Sequence, residues 1–276
     1  MGLIQQTPTR IVEDPRQYLM MLYGDAGVGK TSFFSQIEDS YFLITEPGTK
    51  GVEVYGHMVP DWETFLVSCK EILKQKDEGW QGVRRIGTII IDGLDALYAS
   101  CGRWVCANET FIDKGIAHKF SKIQDVSFGK GYQRTAELII EKLLKLQLEG
   151  FGVFVTAHAR EKNIEWAGKD RVKVQPNFSD TSCETIVNQC DVVAWCTVDQ
   201  KVQVNEKGEI IGAEQGRYMY FQPTFLRVAK HRLKGFPDVL PLKIDQGWAT
   251  YCKAFDKAIA EEKARKELGK EVVCND

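Results

Sequence analysis

Long apolar runs are missing from this sequence. No stretch approaches the roughly 20 residues that cross a bilayer, and the opening MGLIQQTPTR lacks the apolar core of a secretory leader. Neither a membrane nor a secreted protein is expected on that basis, and a cytoplasmic location is expected. Charge of one sign is also lacking: 36 Lys and Arg stand against 38 Asp and Glu, for a net charge of −2. A nucleic-acid partner can then be argued only from a local patch. Histidine is scarce, at four residues, and the eight cysteines form no C-x-x-C pair and have no histidine at zinc-ligand spacing. They read as reduced thiols packed as small apolar groups, with Cys101 and Cys106 the nearest approach to a metal pair. Internal repeats and low-complexity linkers are absent, which favours one main domain.

What is present alternates between strand and helix. Short apolar runs at 18–24, 41–45, 88–92, 151–157 and 191–198 read as buried strands. Asp61 reads as the N-cap of a helix carrying Trp62, Phe65, Leu66, Cys69, Ile72 and Leu73 on one face. Residues 133–149 form a second, longer amphipathic helix, and Glu206-Lys207-Gly208-Glu209 a hairpin turn. The fold class is therefore α/β, a mostly parallel twisted sheet with helices on both faces. The core is expected over residues 1–250, including a short N-terminal lead. Residues 251–276 read as a charged helix and tail with a thin apolar stripe, solvated or docked on a partner.

One motif is strong. Gly24-Asp25-Ala26-Gly27-Val28-Gly29-Lys30-Thr31 matches G-x-x-x-x-G-K-[ST] and sits between a buried strand and a helix, with Ser32 following. Such a loop wraps its N–H groups around phosphate oxygens, and the helix N-terminus adds positive potential. Lys30 would reach the β- and γ-phosphates, and the Thr31 hydroxyl would ligate Mg²⁺. D-x-x-G and N-K-x-D are both absent, so ATP is expected rather than GTP. The third strand, TIIID, ends in Asp92, positioned to hold the same Mg²⁺. Gly93 follows where many ATPases have a water-activating Glu. The nearest substitute is Glu46, at the tip of the second strand.

A water-orienting Glu on that strand resembles RecA-type ATPases. More narrowly, the chain resembles the phage-encoded P-loop ATPases of RecA-like core, some of them single-strand-annealing recombinases. The resemblance is carried in order by LYGDAGVGKT, FLITEPGTKG, TIIIDGLDALY, RWVC, FGKGYQRTAELI, GFGVFVTAHARE and VAKHRLKGFPDVLPL, over about residues 18–242. It implies that His158 senses the γ-phosphate. It also implies that Lys230 and Arg232 reach the nucleotide of a neighbouring copy in a ring or filament. The implied partners are ATP/ADP, further copies of the chain, single-stranded DNA and a single-strand-binding protein.

Two local stretches suit a phosphate backbone. Residues 114–134 hold Lys114, Lys119, Lys122, Lys130 and Arg134 against Asp125; residues 159–175 hold Arg160, Lys162, Lys169, Arg171 and Lys173 around Trp166, against three acidic residues. A mobile basic loop with an aromatic suits sequence-blind single-strand binding. The expectation is a DNA-stimulated Mg·ATPase of phage-type recombination or annealing. The alternative is an ATP-gated assembly module that hydrolyses slowly and ignores DNA.

Overall fold

The computed structural model describes residues 10–113, 116–204 and 210–273. The turn expected at Glu206-Lys207-Gly208-Glu209 lies outside them, as do Lys114 and Cys274. Strand β1 (Met20–Gly24), buried throughout, leads through the glycine-rich loop into the short helix α1 (Lys30–Phe34). β2 (Ser40–Ile44) and the short β3 (Gly56–Met58) follow. Helix α2 (Trp62–Asp77) starts at the expected cap, where Asp61 Oδ1 accepts from the Thr64 N–H at 2.8 Å. β4 (Thr88–Asp92) leads into α3 (Leu94–Asn108). A small antiparallel pair, β5 (Phe111–Asp113) and β6 (Ile116–His118), precedes α4 (Lys130–Leu148). Then come β7 (Gly152–Trp166), β8 (Lys169–Pro176) and α5 (Asp180–Gln189). The rest is β9 (Val192–Val204), β10 (Ile210–Tyr220), β11 (Lys230–His231), β12 (Val239–Pro241) and α6 (Gly247–Val273).

The main sheet runs β12-β10-β9-β1-β7-β4-β2-β3, with β8 paired to β7 and β11 to β9. From β9 to β3 every neighbour is parallel, and antiparallel pairing is confined to β10, β12, β8 and β11. Side chains alternate between the faces, as a strand demands. Met21, Tyr23, Ile89, Ile91, Val153 and Val155 enter one core, with residues of α2, α3, α4 and α5. Met20, Leu22, Ile90 and Phe154 enter the other, with residues of α1 and α6. Burial on both faces explains why these strands read as continuous apolar runs.

Two expectations change. Residues 159–175, expected as a mobile loop, are the outer part of a β7–β8 hairpin, paired from Ala159↔Pro176 to Trp166↔Lys169. Their alternation of residue types is that of a strand, but its apolar part is limited to Ile164 with Trp166 and Val172 with Val174, too short to stand out among the charges. The boundary at 250 falls inside α6, whose first turns belong to the core. Tyr251, Phe255 and Ala258 are fully buried, and the Phe255 ring meets Tyr18 edge-on at 5.1 Å. Spacing of four residues from Tyr251 to Phe255 to Ile259 keeps them on one face, while the charges fall elsewhere. Among the described residues, no helix is long and apolar enough to cross a membrane.

Phe255→Ala should lower stability by about 3–5 kcal/mol, the usual cost of an aromatic-sized cavity, as measured by urea denaturation. A loss under about 1 kcal/mol would return α6 to the periphery.

Candidate active site

Three parallel strands, β1, β2 and β4, end at one edge of the sheet, and β7 runs on past it. Gly24 of β1 pairs with His158 of β7, and Asp92 of β4 pairs with Ile44 of β2, two residues before Glu46. Neighbouring strands thus deliver residues far apart in sequence to one cavity of about 380 Å³. Lys30, Thr31, Glu46, Asp92, Thr156 and His158 line it, together with Ala26, Gly27, Gly29 and Ser32. This is the ligand edge of an open α/β sheet.

The loop after β1 turns into α1 at Gly29, whose φ of 111° few side-chain-bearing residues adopt. Lys30 begins the helix and is buried; its Nζ donates to the Gly24 carbonyl at 2.8 Å and the Asp25 carbonyl at 2.9 Å. Burial pulls this ammonium below the usual lysine range, opposed by Asp92, Asp95 and Glu46 among its neighbours. Gly24 and Asp25 thus hold the lysine without lining the cavity, and Val28 packs into the core.

Asp92 closes β4. Its Oδ2 accepts from the Thr31 hydroxyl at 2.9 Å and its Oδ1 from the Thr156 hydroxyl at 2.5 Å. The N-cap of α3 is Gly93, so Asp92 is not a helix cap. A Cβ at Gly93 would lie 2.4 Å from Glu46 Oε1 and would displace that carboxylate. Glu46 is half-buried. Burial pushes its carboxyl above the usual range; His158 and Lys30 work against that rise, while Asp95 and Asp92 reinforce it. His158 Nδ1 lies 3.0 Å from Asp95 Oδ2 and 3.6 Å from Glu46 Oε1.

Thr156 and Asp95 were not among the residues expected here. Asp95 was legible in DGLDALY as a second acid just after the strand-ending Asp92, in the first turn of the helix that follows. Thr156 was not, because a threonine inside FGVFVTA reads as an ordinary strand residue. Glu46, Asp95 and His158 present oxygen or nitrogen atoms all within 4.8 Å of one another; Cys101 and Cys106 join no such group among the described residues.

Lys230 and Arg232 are not brought to this cavity. β11 pairs with Val192 and Val193 at the start of β9, whereas Gly24 neighbours Cys196 further along. Lys230 Nζ donates to the Val187 and Asn188 carbonyls at 3.3 and 3.0 Å, and Arg232 Nε to Asp191 Oδ1 at 3.0 Å.

The β7–β8 hairpin sorts its charge. Residues directly opposite in the ladder share a face, and the pairs Arg160↔Gln175, Lys162↔Lys173, Ile164↔Arg171 and Trp166↔Lys169 put all five cations and the tryptophan on one side. Glu161, Glu165 and Asp170 take the other. Asp180 binds both Arg160 and Lys162 near the base. Lys169, Arg171 and Lys173 carry no ion pair among the described residues. Trp166, 55% exposed, lies with its centroid 3.8 Å from that of Phe225, 41% exposed. Phe225 was missed because it lies far along the chain.

In the other basic stretch, Lys119, Lys122 and Lys130 are exposed, while Arg134 is tied to Glu109 at 2.8 Å. Phe128, with φ 57°, stands 92% exposed beside Lys130.

A parallel α/β sheet with a phosphate-binding loop and an acidic strand end beside it defines the P-loop nucleotide hydrolases. The family model described as an AAA domain matches residues 16–233, and the chain belongs to that family, a nucleotide-binding ATPase family. No curated protein matches the chain.

Lys30→Ala should abolish ATP binding or hydrolysis, read by titration with a fluorescent nucleotide and by phosphate release. Tight binding with full turnover would remove the loop from the site.

Proposed function

We propose that this chain hydrolyses Mg·ATP at the cavity and uses the cycle to control single-stranded DNA on the β7–β8 hairpin, in recombination or annealing of the phage type. The observation that carries the reading is the continuity of β7: one strand runs from Gly152 through His158 at the cavity to Trp166 at the hairpin tip. A change at the γ-phosphate felt by His158 then reaches the basic face through a single hydrogen-bonded strand.

At the cavity, Thr31 and Asp92 fit a hard divalent cation, since a hydroxyl and a carboxylate oxygen lie 2.9 Å apart beside the phosphate loop. When bound, Mg²⁺ neutralises charge on the β- and γ-phosphate oxygens. Lys30 would exchange the Gly24 and Asp25 carbonyls for phosphate oxygens. Glu46 would orient the attacking water, and a carboxyl pushed up by burial is the more effective base for it. His158 would contact the γ-phosphate from β7.

On the hairpin, a row of cations with an aromatic pair suits a strand held by charge and base stacking. Lys162 stands opposite Lys173 with its charge balanced by Asp180, so Lys169, Arg171 and Lys173 are the cations of the row left to meet phosphate. Assembly belongs to the same reading. A head-to-tail ring or filament would set the β11 end of one copy against the cavity of the next. There Lys230 and Arg232, released from the end of α5 and Asp191, would neutralise the transferred phosphoryl. A single-strand-binding protein would be a further partner on the same DNA.

Glu46→Gln should retain ATP binding and lose turnover by about 100-fold or more; unchanged turnover removes Glu46 from the mechanism. Oligonucleotide binding measured across salt should weaken in proportion to log salt. Lys169→Ala and Arg171→Ala should each lower the slope by about 0.7, and Trp166→Ala should cost about 1–3 kcal/mol with the slope kept. Absence of any salt-sensitive DNA binding would favour the ATP-gated assembly module, in which Asp180 keeps Arg160 and Lys162 occupied.

A further inference from the structure

Asp95 stands on the first turn of α3, and its side chain is only 9% exposed. A carboxylate that deep needs partners for both oxygens. Oδ2 has them, with His158 Nδ1 at 3.0 Å and Asn177 Nδ2 at 3.4 Å. Oδ1 has none among the described residues. The helix N-terminus favours a negative charge here, but that would be satisfied equally by a carboxylate in solvent. An acid buried against a second acid, with one oxygen unpartnered, is a costly arrangement for packing alone.

Glu46 competes with Asp95 for one proton. Two carboxylates flank His158 Nδ1, and with acceptor oxygens on that side the tautomer is assigned with its hydrogen on Nδ1. One N–H makes one strong hydrogen bond. Asp95 at 3.0 Å is within normal range and Glu46 at 3.6 Å is beyond it. Asp95 therefore holds the imidazole, and the nearer face of Glu46 stays unpaired although a donor stands beside it.

The geometry points to Asp95 as a positioning residue: it takes the Nδ1–H of His158 and so keeps Glu46 available for water. Without Asp95, the imidazole is left with Glu46 as its neighbouring acceptor, and Glu46 oxygens that should face water become occupied by the histidine. The ring also loses the bond that fixes its direction toward the phosphate. This inference rests on the reading of Glu46 as the water-orienting carboxylate.

The test is steady-state ATP hydrolysis and ADP affinity in Asp95→Ala, Asp95→Asn, His158→Ala and the double variant Asp95→Ala/His158→Ala, with Glu46→Gln alongside. Asp95→Ala is expected to lower kcat about tenfold or more with KM and ADP affinity within about twofold, the mark of an interaction that matters in the transition state rather than in binding. Asp95→Asn keeps an oxygen acceptor for Nδ1–H and should recover most of the loss. On the His158→Ala background, removing Asp95 should change kcat by less than about twofold, because no ring remains to be held. A full loss on that background, or a KM that rises in step with any fall in kcat, overturns the proposal. Should Asp95→Ala fail to fold, Asp95→Ser, too short to reach Nδ1, replaces it with the same two outcomes. Unchanged turnover in Glu46→Gln would remove the underlying reading. An inactive Glu46→Gln beside an unimpaired Asp95→Ala overturns this inference alone.

Discussion

Asp92 commits both carboxylate oxygens to hydroxyls, one from Thr31 on α1 and one from Thr156 on β7. That fork ties the phosphate loop after β1 to β4 and β7, and the rest of the site is arranged around it. The register from β2 through β4 and β7 to β1 brings the ends of β1, β2 and β4 within two residues of one level beside the continuing β7, so Lys30, Glu46, Asp92 and His158 meet without long loops to carry them. Apolar side chains on both sheet faces keep that register, since a slip of one residue would exchange the two cores.

β7 lines the cavity with His158 near its middle and carries a charged surface beyond it. A strand of 15 residues is longer than a sheet core needs, and its outer part pairs with β8 and meets α5 through Asp180. Its residues separate by charge across the hairpin, cations with Trp166 on one face and acids on the other. The near-neutral balance of the whole chain conceals this, because composition averages the two faces.

How much was legible in the sequence depended on the kind of signal. The five apolar runs were visible because each strand is buried on both sides, and β4 falls on the expected residues 88–92. The phosphate loop, Asp92 and Glu46 were visible because their order and spacing follow the strand–loop–helix pattern of the chemistry. The hairpin was not, since its apolar alternation is too short to stand out among the charges. Thr156 was hidden because its hydrogen bond to Asp92 comes from pairing of strands that only the tertiary fold brings together. The first half of α6 was underrated because Tyr251, Phe255 and Ile259 sit among many charges, and only the aromatic cluster of Phe33, Phe221 and Phe236 reveals what they pack against.

The central claim is that nucleotide chemistry at the cavity and nucleic acid on the hairpin are one system, joined through β7. The most direct measurement is the steady-state rate of ATP hydrolysis as a single-stranded oligonucleotide is titrated in at low salt. A rate that climbs with oligonucleotide and saturates is the predicted result. A rate that stays flat while the oligonucleotide binds would contradict the coupling and leave an ATPase whose hairpin serves something else.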